Sequence, residues 1–119
     1  MAETPRLPGA QAGTIVVTLP GEIDRANVDR VSADLNAAFG PGVGGVVADM
    51  SGTRFCDTSG IRELVLAHKR ARASGTSFRV VAGPGEVRRV LDILRLDTVL
   101  DLYPRLDLAL AAGDQGPER

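Results

Sequence analysis

The chain has no tryptophan, one tyrosine and three phenylalanines, so any core has to be assembled from Val, Leu, Ile and Ala. It has one cysteine, Cys56, which excludes an internal disulfide and a Cys-rich zinc site and fits a reducing compartment. No apolar run approaches the ~20 residues needed to cross a bilayer. The N-terminal Met-Ala-Glu-Thr-Pro-Arg also lacks the apolar segment of a signal peptide. These absences predict a soluble, cytoplasmic protein with no membrane partner. Excess charge is missing too. Lys and Arg number 14 against 15 Asp and Glu, so there is none of the basic footprint that a nucleic-acid partner requires. What is present is an ordinary apolar fraction, 44% of 119 residues, sufficient for one core and one domain.

Taken in order, residues 1–13 carry Pro5, Pro8, Gly9 and Gly13 and read as a loose leader. Residues 14–19, Thr-Ile-Val-Val-Thr-Leu, read as a strand that Pro20-Gly21 stops. Val28, Val31, Leu35 and Phe39 then mark one helical stripe, for which Asp24 or Asn27 could serve as cap. Residues 40–45, glycine-rich, read as a turn into a β-branched strand, Val46-Val47-Ala48-Asp49. After a polar turn, Phe55 is expected to sink into the core and Cys56 to be a small core residue beside it. A helix from about Ser59 carries Ile61, Leu64, Val65 and Ala71 on one face and should stop at Gly75. A strand at 77–82, an amphipathic helix through Val87, Val90, Leu91 and Leu94, a short strand at 99–102 and a last helix through Leu106, Ala109 and Leu110 complete the pattern. Residues 113–119 are polar and read as a tail. This alternation predicts a small α/β domain over 14–112, with a parallel or mixed sheet covered by helices.

Chemistry concentrates at Asp57-Thr58-Ser59-Gly60, on an exposed corner where a buried strand hands over to a helix. Backbone N–H groups there lack intrahelical partners, and the helix dipole is positive. Asp57, Thr58 and Ser59 are all good N-cap types, and one of them is expected to cap. Three in succession before a glycine also suit phospho-acceptance on Ser59, where a phosphate would be favoured by the helix N-terminus. The residues alone support cap and switch equally. Enzyme readings are weaker. The glycines at 40–45 are followed by Val-Val rather than by the Lys and Ser/Thr of a phosphate loop. Ser59 interrupts the Asp-Thr-Gly of an aspartic protease. No glycine stands two residues before Ser59, as a nucleophile elbow requires. His68 lies about two helical turns, roughly 13 Å, along the axis from Ser59, too far to act as its base, and reads as a half-covered helix side chain. No metal-binding or cofactor-binding set is visible.

Pro20-Gly21-Glu22-Ile23-Asp24, a helix, and then the block from Val46 to Ile61 with Asp-Thr-Ser-Gly resemble a STAS domain. More narrowly, they resemble the single-domain anti-sigma factor antagonists of bacteria. The segment Arg79-Val80-Val81-Ala82-Gly83-Pro84-Gly85-Glu86-Val87 and the later Leu96-Asp97-Thr98-Val99-Leu100 are similar to the same family. The resemblance implies a mixed sheet of four or five strands with about four helices mainly on one face. It implies that Ser59 is the phosphorylated residue, and that Asp24, Asp57, Thr58, Ser59, Gly60 and Ile61 form the partner face. The implied partner is an anti-sigma factor, a serine kinase with a histidine-kinase-like ATPase fold, which the unmodified domain binds so that a sigma factor is freed. Phosphorylation of Ser59 by that kinase would end binding, and a phosphatase would restore it. The alternative is a non-switching STAS subunit of a stressosome or lipid-transport assembly. Thr58 stands where serine is commoner in the family. The family's usual first strand is scarcely visible before Gly13, and residues 94–96 lack the small residue and glycine that often follow the third helix.

Overall fold

The computed structural model describes residues 13–114. Six strands and four helices follow in the order β1 (Gly13–Thr18), β2 (Glu22–Ile23), α1 (Val28–Ala38), β3 (Val43–Asp49), β4 (Phe55–Cys56), α2 (Thr58–Ser74), β5 (Ser77–Val81), α3 (Glu86–Ile93), β6 (Asp101–Tyr103) and α4 (Leu106–Asp114). The main sheet has the order β1-β3-β5-β6, and a small second sheet pairs β2 with β4. Every pairing among the described residues is parallel, as helical crossovers between successive strands dictate.

The side-chain alternation of β3 and β5 divides the interior in two. Val46 and Ala48, with Phe78 and Val80, face the larger core, which Val31, Leu35, Ile61, Leu64, Ala67, Val87 and Leu91 of the first three helices fill. Val47 and Val81 face the opposite way, onto Ala109, Leu106 and Leu110 of α4. Val46, Val47 and Ala48 are therefore fully buried on both faces, as a strand sandwiched between helix layers must be. Each large side chain so buried contributes roughly 1.5–3 kcal/mol. Among the described residues one aromatic pair, Phe39 and Phe78 with centroids 6.3 Å apart, adds ring packing to the larger, otherwise aliphatic core.

Several boundaries depart from the sequence-based expectation. Gly44 and Gly45 belong to β3 rather than to a turn, Gly45 pairing with Thr14 on one side and Ser77 on the other; a Cβ on Gly45 would stand 2.6 Å from Ser77 Oγ. Phe55 is not an anchor. It is 49% exposed, whereas Cys56 beside it is 8% exposed, since adjacent strand residues point to opposite faces and β4 turns the smaller one inward. Leu94 lies past the end of α3 and is exposed. The short strand starts at Asp101 rather than at 99, because residues 96–98 first form a 3-10 turn in which the Leu96 carbonyl accepts from Val99 N and Leu100 N. At the turn's start Arg95 adopts φ 62°. That is the left-handed conformation a glycine would take without strain, and it falls where the expected glycine is missing. The expected caps of α1 also differ. Asn27 occupies the cap position, but neither it nor Asp24 makes a side-chain cap bond. Gly75 does stop α2, at φ 72° with its N–H bonded to the Ala71 carbonyl. The expected leader, 1–13, and tail, 113–119, each lose residues to an element, since β1 begins at Gly13 and α4 runs through Asp114; the rest of both, with the weak first strand expected before Gly13, lies outside the described residues.

Candidate functional site

The corner is built by the two-residue sheet. β2 and β4 pair in register, Glu22 with Phe55 and Ile23 with Cys56, and Asp57 N extends the ladder to the Ile23 carbonyl at 3.0 Å. This places Asp24, the residue after β2, alongside Asp57, the residue after β4, although 33 positions separate them in sequence. Asn27 holds the β2 end in place. Its Oδ1 accepts from Asp24 N at 3.0 Å and its Nδ2 donates to the Glu22 carbonyl at 2.8 Å. The Asp24 carboxylate accepts from Ala26 N at 2.9 Å. On the other side, Thr53 Oγ1 donates to the Pro20 carbonyl at 2.8 Å and Arg54 N to the Gly21 carbonyl at 2.7 Å.

Asp57 is the N-cap of α2, and one of its oxygens does three things. Oδ1 accepts from Ser59 N at 2.9 Å, from Gly60 N at 3.1 Å and from Ser59 Oγ at 2.6 Å. The last is a short, charge-assisted bond. The Ser59 hydroxyl above all, joined by the amides of Gly60 and Ser59 and by the Arg25 guanidinium, outweighs desolvation and holds the Asp57 carboxyl below the ordinary range. Two consequences follow. The Ser59 side chain is pinned in one orientation at a half-buried position beside exposed Thr58. In addition, the amides of Ser59 and Gly60 already serve Asp57, so a phosphate on Ser59 would compete for the helix N-terminus with a carboxylate that occupies it.

Gly60 and Ile61 complete the corner from beneath. A Cβ on Gly60 would lie 2.6 Å from Cys56 Sγ and 2.6 Å from Ile23 Cγ2, so the glycine lets α2 sit directly on the small sheet. Ile61 is 7% exposed and packs into the main core. It positions the corner from behind and offers little surface to a partner. Exposed Phe55, and Arg25 with its charge on Asp57, are parts of this face that sequence reasoning missed. The signal for Phe55 was the alternation with Cys56, visible only once β4 is known to be a strand. His68 lies half-buried on α2, away from the corner.

Burial, with the Asp57 carboxylate adding to it, pushes the Cys56 thiol up to about 11. Thiolate is the reactive form, so Cys56 in the folded protein is expected to resist iodoacetamide at pH 8 and to react promptly in denaturant. Prompt labelling of the native protein in a mass spectrum would mean that the β2–β4 sheet opens freely.

Asp57 gives a second expectation. Its folded value is lowered, so its contribution to stability is fully present above the ordinary carboxyl value of 3.8 and is lost as pH falls through the lower folded value. Denaturant midpoints of the wild type and Asp57→Asn should therefore differ above pH 4 and converge in more acid solution. A gap that stays constant down to the acid limit would show that the charge of Asp57 is not what caps the helix.

Comparisons with known proteins bear on the family and the fold. A model of the STAS domain family matches residues 3–109, and the chain belongs to that family. The chain is 30% identical over 108 residues, 88% of its length and 72% of the relative's, to Rv2638 of Mycobacterium tuberculosis, which is named for an anti-anti-sigma role. It superposes with a TM-score of 0.78 at 30% identity, over 87% of each chain, on the crystal structure of an anti-sigma factor antagonist from Mycobacterium paratuberculosis. The anti-sigma factor antagonist SpoIIAA in its unphosphorylated form shares the fold, with a TM-score of 0.66 at 18% identity over 90% of this chain and 94% of that one. The Bacillus SpoIIAA structure in the phosphorylated form superposes with a TM-score of 0.64 at 19% identity, over 86% of this chain and 92% of that one. Among the described residues, no helix is long and apolar enough to cross a membrane.

Proposed function

We propose that this protein is an anti-sigma factor antagonist. In this reading it is a regulatory binding protein rather than an enzyme: it docks an anti-sigma factor on the corner formed by Asp24, Asp57, Thr58, Ser59 and Gly60, and is released by phosphorylation of Ser59. The single observation that carries the reading is the 2.6 Å bond from Ser59 Oγ to the Asp57 carboxylate. A hydroxyl there is a donor that a carboxylate holds. A phosphate there would add nearly two negative charges, remove the donor, and stand against the same carboxylate with its two best amide partners already taken. The modification therefore changes the face from a pinned, partly polar surface to a repelling one, and like charges brought together in a protein interface cost several kcal/mol.

Homology to relatives named as anti-sigma factor antagonists at 30% identity over most of the chain supports the partner class. That the STAS fold of SpoIIAA is known in both unphosphorylated and phosphorylated forms supports its tolerance of the modification. Phosphoryl transfer depends on positioning and on electrostatic stabilisation of the phosphates and their metal. In this account the bound partner supplies both as a serine kinase, with Asp57 keeping the Ser59 hydroxyl oriented, and a phosphatase resets the cycle. The domain assignment goes with the function: residues 14–112 act as one STAS module. The direct test is titration calorimetry of an anti-sigma factor encoded in the same genome against the unmodified protein and against the protein phosphorylated on Ser59. Binding that is lost on phosphorylation supports the switch, and equal affinities contradict it.

A further inference from the structure

A phosphate on Ser59 needs counter-charge that the helix N-terminus cannot give it, because Asp57 Oδ1 already holds the amides of Ser59 and Gly60. Esterification would also remove the hydroxyl proton that makes the 2.6 Å bond to Asp57, so the side chain must swing away from that carboxylate. The cations within reach decide where it goes.

Most arginines around the corner are engaged. Arg54 lies 3.7 Å from Glu22 of β2, and Arg30 of α1 lies 4.0 Å from Asp34. On α3, which packs against β4, Arg88 pairs with Asp92 and Arg89 with Glu86. Arg25 and Arg62 are different: both are exposed, and neither forms an ion pair or hydrogen bond with any described residue. These two flank Ser59. Arg25 directly follows Asp24, which the β2–β4 register sets beside Asp57, and its charge is felt at the Asp57 carboxyl. Arg62 stands three residues after Ser59 on α2, a neighbour on the same helix face. Helical side chains lean toward the N-terminus, so the long Arg62 chain runs back over the turn that carries Ser59. The opposing charges nearby are Asp24, Asp57 and Glu63, the last four residues after Ser59.

We propose that phosphorylated Ser59 is held in a clamp of two guanidiniums, Arg25 from the β2–α1 loop and Arg62 from α2. The inference rests on Ser59 being the phosphorylated residue and adds what its phosphate binds. A guanidinium matches a phosphate through paired, charge-assisted hydrogen bonds. The clamp ties the β2–α1 loop to α2 in the phosphorylated protein alone, and leaves both arginines unpaired on the docking face before modification.

Full-length protein with phosphoserine at position 59, introduced during translation so that no cellular kinase is needed, tests the clamp in a phosphorus NMR titration. Two cations favour the phosphate dianion, so its second ionisation should fall below the ordinary value of about 6. Arg25→Gln and Arg62→Gln should each raise it by roughly half a pH unit, and added KCl should shrink the difference from wild type. Arg72→Gln, about 20 Å further along α2, should leave it unchanged. Both clamp residues are exposed, so the variants should fold as the wild type does, which circular dichroism checks. A wild-type value at or above about 6, or one that either clamp substitution leaves unmoved, would overturn the proposal. The three carboxylates, or a single arginine, would then govern the phosphate. Native protein that carries no phosphate would contradict the switch reading without touching this titration.

Discussion

Ser59→Asp is expected to weaken binding of the anti-sigma partner by about two orders of magnitude or more, whereas Ser59→Ala should leave it within a few-fold. The asymmetry comes from the Asp57 carboxylate, which is already bonded to Ser59 Oγ and to the amides of Ser59 and Gly60. An aspartate at position 59 sets a second carboxylate against the first, with no donor between them, on the surface the partner must desolvate. An alanine removes one hydrogen bond, for about 1 kcal/mol of fold stability, but adds no charge and leaves the Asp57 cap on its two amides. If Ser59→Asp bound as tightly as wild type, the electrostatic basis of release would be wrong. If Ser59→Ala lost binding as completely as Ser59→Asp, the hydroxyl itself would be the recognised group and charge would be irrelevant. Surface plasmon resonance with the partner immobilised separates these cases, and circular dichroism of each variant checks that the fold is intact.

Gly60→Ala should destabilise the protein by roughly 1–3 kcal/mol, and each kcal/mol lowers Tm by about 3–6 °C in a domain of this size. Helix propensity alone gives the opposite sign, because replacing a helical glycine by alanine normally gains roughly 0.5–1 kcal/mol. Packing decides the outcome here. The new methyl would meet Cys56 Sγ and Ile23 Cγ2, each at 2.6 Å, and neither Cys56 nor Ile23 has free space to retreat into, both being buried. The strain falls on the β2–β4 ladder, so partner binding should suffer together with stability. Cys56→Ala removes one of the two obstructing atoms, and a double-mutant cycle should therefore show that Gly60→Ala costs less in the Cys56→Ala background. Strict additivity of the two substitutions would mean that the backbone of α2 shifts to accommodate the methyl and that the close packing is incidental.

How far the fold could be read from the sequence depended on element length. The long periodic segments, 14–19, the stripe of α1, 59–74 and 77–82, carried enough turns or alternations to show their period and lie where the structure has them to within a residue or two. The two-residue strands β2 and β4 have no period to detect. They exist because a turn at 51–54 brings Phe55 and Cys56 beside Glu22 and Ile23, a pairing across 33 residues that no local pattern encodes. Missing β4 is what misdirected Phe55 inward. The chemistry of the corner was legible as residue types, because Asp, Thr and Ser before a glycine are capping and acceptor groups anywhere. The division of labour was not: whether Asp57, Thr58 or Ser59 caps depends on where the ladder from Ile23 stops. The role of Gly60 was equally hidden, since a glycine that permits close approach reads in sequence like one that permits a turn. Ile61 was expected on the partner face only through the family resemblance, while its spacing with Leu64 and Ala71 already put it on the apolar stripe of the helix. Helical geometry sends it into the core instead, and its part in the site is support.

The central claim is that the Ser59–Asp57 corner is a phosphorylation switch, and intact mass with fragment localisation on protein recovered from its native host tests it most directly. One phosphate located on Ser59, absent from Ser59→Ala protein expressed in the same cells, is the expected result. Protein that carries no phosphate under any growth condition, or carries it only at Thr58 or elsewhere, would contradict the claim. The corner would then be a helix cap on a constitutive binding module.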